Sequence, residues 1–156
     1  MTELIVIHGI SLPPGKYGGP EIEALFTNTL DPDAHPYFAE ISGLEVSAHF
    51  LVRRAGEVVQ FVSTDARSWH AGVSCWQGRE QCNDFSIGIE LEGCDDEAYT
   101  DAQYDALNQL LAALTKQYPD IRHDAIVGHS DIAPGRKTDP GPAFDWSRIV
   151  ASQSQQ

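Results

Sequence analysis

Basic residues are scarce in this chain: ten Lys and Arg stand against 23 Asp and Glu, for a net charge of −13. Nucleic acid and anionic membrane surfaces both need clustered cations, so neither is an expected partner. Cysteine is also scarce and odd in number, at Cys75, Cys82 and Cys94, with no CxxC pair. That pattern argues against a disulfide framework and a structural zinc ribbon, and it is simplest in a reducing compartment. No apolar run approaches the ~20 residues a membrane-spanning helix needs. Internal repeats and linker-like composition shifts are absent too. Met1 leads into a strand-like segment with neither a charged nor an apolar leader region, so a cytoplasmic protein is expected. At 156 residues the chain suits one domain with a full core, expected over residues 1–150. Residues 151–156, ASQSQQ, read as a disordered tail.

What is present alternates between strand and helix signals. Residues 4–8 form a continuous apolar run ending in His8, suited to a strand buried on both faces. Gly19-Pro20 opens a helical segment with Ile22, Leu25 and Phe26 on one face and Pro20 at the first helical position. Residues 31–43 hold Pro32, Pro36 and Gly43 and read mostly as loop. Residues 48–53 and 57–62 read as two strands joined through Ala55-Gly56. In 85–91, Phe85, Ile87, Ile89 and Leu91 share one strand face, while Ser86, Gly88 and Glu90 share the other. Thr100 and Gln103 make a capping box ahead of a stripe of Tyr104, Leu107, Leu110, Leu111 and Leu114, and Pro119 closes that helix. Residues 124–127 form a short strand, and Asp145-Trp146 starts a last short helix. The expectation is an α/β domain with a central mixed sheet flanked by helices.

The stretch GHSDIAPGRKTDPGP at 128–142 carries the strongest chemical signal. It sets His129 and Asp139 ten residues apart on a segment stiffened by Pro134, Pro140 and Pro142, with Lys137 two residues before the aspartate. An imidazole and a carboxylate are two of the three protein ligands of a catalytic zinc, whose fourth position stays open. His8, at the end of its own strand and before Gly9, is the third candidate. Alone, His8 reads as a structural histidine and Asp139 as a turn cap. Two histidines leaving adjacent strand ends are a better metal hypothesis than either singly, because first-row metals need converging ligands.

A hydrolase of this kind also needs a base to take a proton from water and hand it to the leaving nitrogen. Glu90, beside the space left by Gly88, suits that role; a solvated surface Glu is the alternative, and Glu92 competes for the task. Lys137 suits an oxyanion stabiliser, or else is one more surface lysine. Trp69-His70 places an aromatic beside an imidazole, as a carbohydrate-binding wall would, and packing explains it equally. His49 reads as structural or as supporting the site, and His35 carries no role.

Several runs together resemble one family: ISLPPG at 10–15, VSAH at 46–49, WHAGVS at 69–74, NDFSIGIELEG at 83–93, DIAP at 131–134 and PAFDW at 142–146. They are similar to the AmpD-type amidases, the cytoplasmic 1,6-anhydro-N-acetylmuramoyl-L-alanine amidases of bacterial cell-wall recycling. The similarity runs in order from about residue 4 to residue 148. It implies the α/β fold shared with T7-lysozyme-type amidases and peptidoglycan recognition proteins. It also implies one zinc ion per chain on His8, His129 and Asp139, Glu90 as general acid/base and Lys137 at the oxyanion. Trp69, His70, Gly9 and Arg79 are the expected substrate contacts. The implied substrate is a small muropeptide, cut between the lactyl group and L-alanine, and the expected state is a monomer.

Three departures from the family pattern stand out. The segment that family members carry ahead of the first strand is missing here, and part of a groove wall is expected to go with it. Gly9 replaces a more usual asparagine, with the expected loss of one hydrogen bond to substrate. Glu45 and Gln81 stand where the family has two arginines associated with stem-peptide carboxylates, leaving Arg79 or Arg53 to compensate. Two other functions would leave different marks. An amidase of intact peptidoglycan predicts an export signal or a basic surface, and a non-catalytic peptidoglycan-binding module predicts a lost ligand.

Overall fold

The structure, a computed structural model, describes residues 1–41 and 43–150; the expected tail at 151–156 lies outside them. In chain order the elements are β1 (Leu4–Ile10), α1 (Glu21–Phe26), α2 (Pro36–Ile41), β2 (Phe50–Val52), β3 (Val58–Gln60), β4 (Cys75–Trp76), β5 (Arg79–Glu80), β6 (Ser86–Glu92), α3 (Asp101–Gln117), β7 (Ile126–Gly128) and α4 (His129–Ile132). Short 3-10 turns lie at Cys82–Asp84, His123–Ala125 and Trp146–Arg148.

A strand apolar on both faces belongs in the middle of a sheet. β1 accordingly lies between β6 and β7 in a five-stranded sheet ordered β3-β2-β6-β1-β7. The β2–β6, β6–β1 and β1–β7 pairs are parallel and β2–β3 is antiparallel, so the sheet is mixed as expected. Alternation along β6 sends Ile87, Ile89 and Leu91 into one apolar cluster with Tyr104, Leu107, Leu111 and Leu114 of α3. Each such side chain, fully buried, contributes about 1.5–3 kcal/mol. The capping box of α3 forms as read: Gln103 N–H donates to Thr100 Oγ1 at 3.1 Å, and Thr100 N–H to Gln103 Oε1 at 3.0 Å. Gln103 Nε2 also donates to the carbonyls of Val52 and Glu92, fastening the helix start to the ends of β2 and β6.

The opposite sheet face is covered near β2 by α1 and α2, through a second cluster of Leu12, Ile22, Leu25, Phe26, Phe38 and Leu51. Here the structure departs from the sequence reading. Residues 36–41, expected as loop, form a six-residue helix because Phe38 is buried in that cluster and Pro36 suits a first helical position. Helix α1 starts at Glu21, with Pro20 as its cap rather than its first residue. The β4–β5 hairpin, two residues a side, is too short to leave a periodic signal. Residues 129–132, read as part of a proline-stiffened loop, form α4, with the Gly128 N–H donating to Asp131 Oδ2 at 2.8 Å.

Candidate metal centre

Sheet register builds the site. His8 of β1 stands opposite Glu90 of β6, and Ile7 opposite Gly128 of β7, so His129 leaves the sheet beside His8. The chain then loops back: Ser130 N–H donates to the Asp139 carbonyl at 3.0 Å, and Gly9 N–H to Asp139 Oδ2 at 3.2 Å. His8 Nδ1 lies 3.0 Å from His129 Nδ1 and 3.3 Å from Asp139 Oδ2, while His129 Nδ1 lies 3.2 Å from Asp139 Oδ1. One donor atom from each residue falls within 4.8 Å of the others.

The donor chemistry fits a divalent cation. His129 Nε2 faces the Ala71 carbonyl at 2.9 Å, and a carbonyl only accepts, so the proton sits on Nε2 and Nδ1 offers its lone pair. Two ring nitrogens and a carboxylate oxygen converging on one buried point match the ligand types of a catalytic zinc with an open position. Burial lowers the His8 imidazole to about 4, against the raising hydrogen bond of Asp139. Burial pushes the Asp139 carboxyl up, but hydrogen bonds and charge from His129 and His8 outweigh it and hold the group well below the usual carboxylate range. His8 thus offers a neutral imidazole and Asp139 an ionised carboxylate, the forms that bind a metal.

Glu90 is neither solvated nor exposed. It is buried on the cleft floor with Oε2 3.6 Å from His8 Nδ1. Burial, and secondarily the charge of Asp139, raise its carboxyl well above the ordinary value, opposed by Lys137. Glu92, its competitor, is fully engaged: it accepts Gly18 N–H at 2.8 Å and Arg54 N–H at 3.0 Å and pairs with Arg53 at 3.5 Å. Glu92 ties Gly18 to the 53–54 segment and does not line the cleft of the triad.

The raised Glu90 value has a measurable consequence in the metal-free protein. Between the unfolded-state value near 4.5 and the higher folded value, the folded state binds more protons, so stability falls as pH rises through that interval. Glu90→Gln removes this penalty. Urea unfolding of the metal-free proteins should show the variant more stable at pH 8, with the gap shrinking as pH falls below 4.5. An equal gap at both pH values would sink the idea.

The triad opens into a cleft of about 500 Å³. Its lining includes the apolar or aromatic Leu12, Tyr37, Leu44 and Trp69 and the cations Arg136 and Lys137. Trp69 stands half-exposed on the rim with the Arg67 guanidinium 4.3 Å from its ring centre. His70 reaches the cleft with one edge, but both its nitrogens are used within the protein, on His8 and Ser86. Gly9 lines the cleft, and an added Cβ there would stand 2.3 Å from Tyr99 Oη, so a side chain requires Tyr99 to move. Arg79 does not come to the cleft: it lies in the β4–β5 hairpin, pairs with Glu3 and stacks 3.9 Å from the Phe85 ring centre. Arg53, the other candidate for compensation, is held by Glu23 and Glu92. His49 is structural, accepting Gly88 N–H on Nδ1 and donating from Nε2 to the Ala66 carbonyl. The sequence reading missed Arg136, whose guanidinium donates to the carbonyls of Ala71 and Val73. Nothing local to residue 136 announces that contact.

A parallel-centred mixed sheet carrying a His-His-Asp triad able to hold a metal, a buried carboxylate beside it and an open cleft has the arrangement of a hydrolase site. The family model of N-acetylmuramoyl-L-alanine amidases matches residues 2–142, and the chain belongs to that family. It is 67% identical over 148 residues to the 1,6-anhydro-N-acetylmuramyl-L-alanine amidase AmpD of Enterobacter cloacae, covering 95% of this chain and 79% of that protein. The crystal structure of a selenomethionine AmpD derivative superposes with a TM-score of 0.94 at 63% identity, covering 97% of this chain and 84% of that one. The Escherichia coli amidase AmiD, solved with the substrate anhydro-N-acetylmuramic acid-L-Ala-D-γ-Glu-L-Lys, matches with a TM-score of 0.70 at 30% identity, over 97% of this chain and 57% of that one. Among the described residues, no helix is long and apolar enough to cross a membrane.

Proposed function

We propose that this chain is a monomeric, cytoplasmic zinc amidase of cell-wall recycling. It cuts the amide between the lactyl group of (1,6-anhydro-)N-acetylmuramic acid and L-alanine in small muropeptides. The observation that carries the reading is the meeting of His8, His129 and Asp139 with Glu90 on the floor of one cleft, in a chain 67% identical to AmpD. His8, His129 and Asp139 would hold zinc, which when bound polarises the carbonyl and lowers the pKa of water.

The remaining chemistry belongs to the chain's own groups. Glu90 takes a proton from the attacking water and delivers it to the leaving nitrogen of L-alanine. A carboxyl raised well above its ordinary value suits both steps, because it takes a proton more readily than an ordinary carboxylate and can still release it to the nitrogen. Lys137, on the cleft wall, meets the negative charge that develops on the carbonyl oxygen. The apolar part of the lining, with Trp69 at the rim, offers a face for the sugar ring. The test is cleavage of an anhydro-muramoyl tripeptide followed by mass spectrometry, with zinc content measured before and after chelation. Release of free peptide, lost with the metal and restored by zinc, supports the reading. A folded, zinc-loaded protein that leaves the amide intact overturns it.

Stem-peptide selectivity should be relaxed. Glu45 and Gln81 supply no cation where family resemblance implies two, and Arg79 and Arg53 are tied to Glu3, Glu23 and Glu92. A charge-assisted hydrogen bond contributes ~1.5–3 kcal/mol, about tenfold or more in affinity. The expected result is comparable kcat/KM on tripeptides ending in diaminopimelate and in lysine. A tenfold preference for the extra carboxylate would count against it.

A further inference from the structure

We propose that the His70-Ala71 dipeptide positions both imidazoles of the metal triad, and that Gly88 makes room for it. The inference rests on the metal reading above. Each histidine turns Nδ1 toward the shared centre, so each must carry its proton on Nε2 and find an acceptor there. Both acceptors come from adjacent residues of one loop. His8 Nε2 lies 2.9 Å from His70 Nδ1, and His129 Nε2 lies 2.9 Å from the Ala71 carbonyl.

The loop itself is anchored. The backbone N–H groups of His70 and Ala71 both donate to Asn83 Oδ1, at 3.1 and 2.9 Å, and Arg136 donates to the Ala71 carbonyl at 2.7 Å. For His70 Nδ1 to accept, its own proton must lie on Nε2, and that atom is 3.0 Å from Ser86 Oγ. The His70 ring lies against Gly88: a Cβ there would stand 2.4 Å from its Cγ and 2.7 Å from its Nδ1. Three consecutive same-face positions of β6 therefore serve the site differently. Ser86 orients His70, Gly88 yields space for its ring, and Glu90 faces the reaction centre.

Two measurements on the full chain test this. In the first, zinc affinity is read by competition with a chromophoric chelator, with circular dichroism confirming the fold. His70→Leu, which keeps bulk but offers no acceptor, should weaken zinc binding about 10–100-fold, the usual effect of losing an orienting partner. Gly88→Ala, which touches no donor atom of the triad, should weaken it as well. His70→Asn, whose Oδ1 falls near the ring Nδ1 position, should recover most of the affinity. In the second measurement, long-range ¹H–¹⁵N NMR of the zinc-loaded wild type should find the His70 proton on Nε2, and this holds even if His70→Leu fails to fold. Wild-type zinc affinity in folded His70→Leu or Gly88→Ala, or a His70 proton on Nδ1, overturns the inference and leaves the metal reading intact. A wild-type chain that takes up no zinc overturns both.

Discussion

Glu90→Gln should retain zinc and fold while kcat falls by about 10²–10⁴-fold, the range that general acid–base catalysis contributes. The reasoning starts from position. Glu90 is buried on a central strand, with its carboxylate 3.6 Å from His8 Nδ1, outside the group of three donor atoms that converge most closely. Glutamine preserves the shape and removes the proton-accepting oxygen, so substrate binding should survive and KM should change little. Measuring kcat, KM and bound zinc on the same preparation separates the roles. Loss of zinc with activity would make Glu90 a ligand. Undiminished turnover would move the base elsewhere, although Glu92, held by Gly18, Arg53 and Arg54, is a poor replacement.

The larger expected loss is at Asp139. Asp139→Ala should abolish stoichiometric zinc and turnover together. The carboxylate would supply the negative ligand between two imidazoles; it reaches His8 at 3.3 Å and His129 at 3.2 Å. Without it, two nitrogen donors remain, short of the three protein ligands that catalytic zinc sites use. Oδ2, the oxygen that reaches His8, also accepts the Gly9 N–H, so the end of β1 loosens too. Equilibrium dialysis against buffered zinc checks the prediction. One zinc per chain in the variant would count against a ligand role for Asp139 and direct attention to Glu90.

Much of this site was legible before any fold was known, because its strongest signals are local. His129, Lys137 and Asp139 lie within one short segment rich in proline, and the alternation of residues 85–91 puts Glu90 on the face opposite the core set. The capping box at Thr100 is likewise a four-residue pattern, and it forms as read. Misreadings came where tertiary packing overrode local preference. Pro36 and its surroundings look like loop until Phe38 is seen filling the cluster beneath α1. Arg79 looks like a free cation until the β4–β5 hairpin brings it to Glu3.

The mixed α/β pattern, the residue types of the candidate triad and the carboxylate on the free face of 85–91 could all be read from the sequence. These depend on residue identity and on the two-residue and 3.6-residue periods of strand and helix. Which protons sit where depends on tertiary packing. Glu90 is held toward its neutral form by burial, Glu92 is spent on two backbone amides and Arg53, and His8 meets a partner 62 residues away. Protonation and tautomer follow from desolvation and from the groups within hydrogen-bond reach. In this chain those groups come from β1, β6, the loop at 70–71 and the segment after β7, which meet only once the sheet has formed.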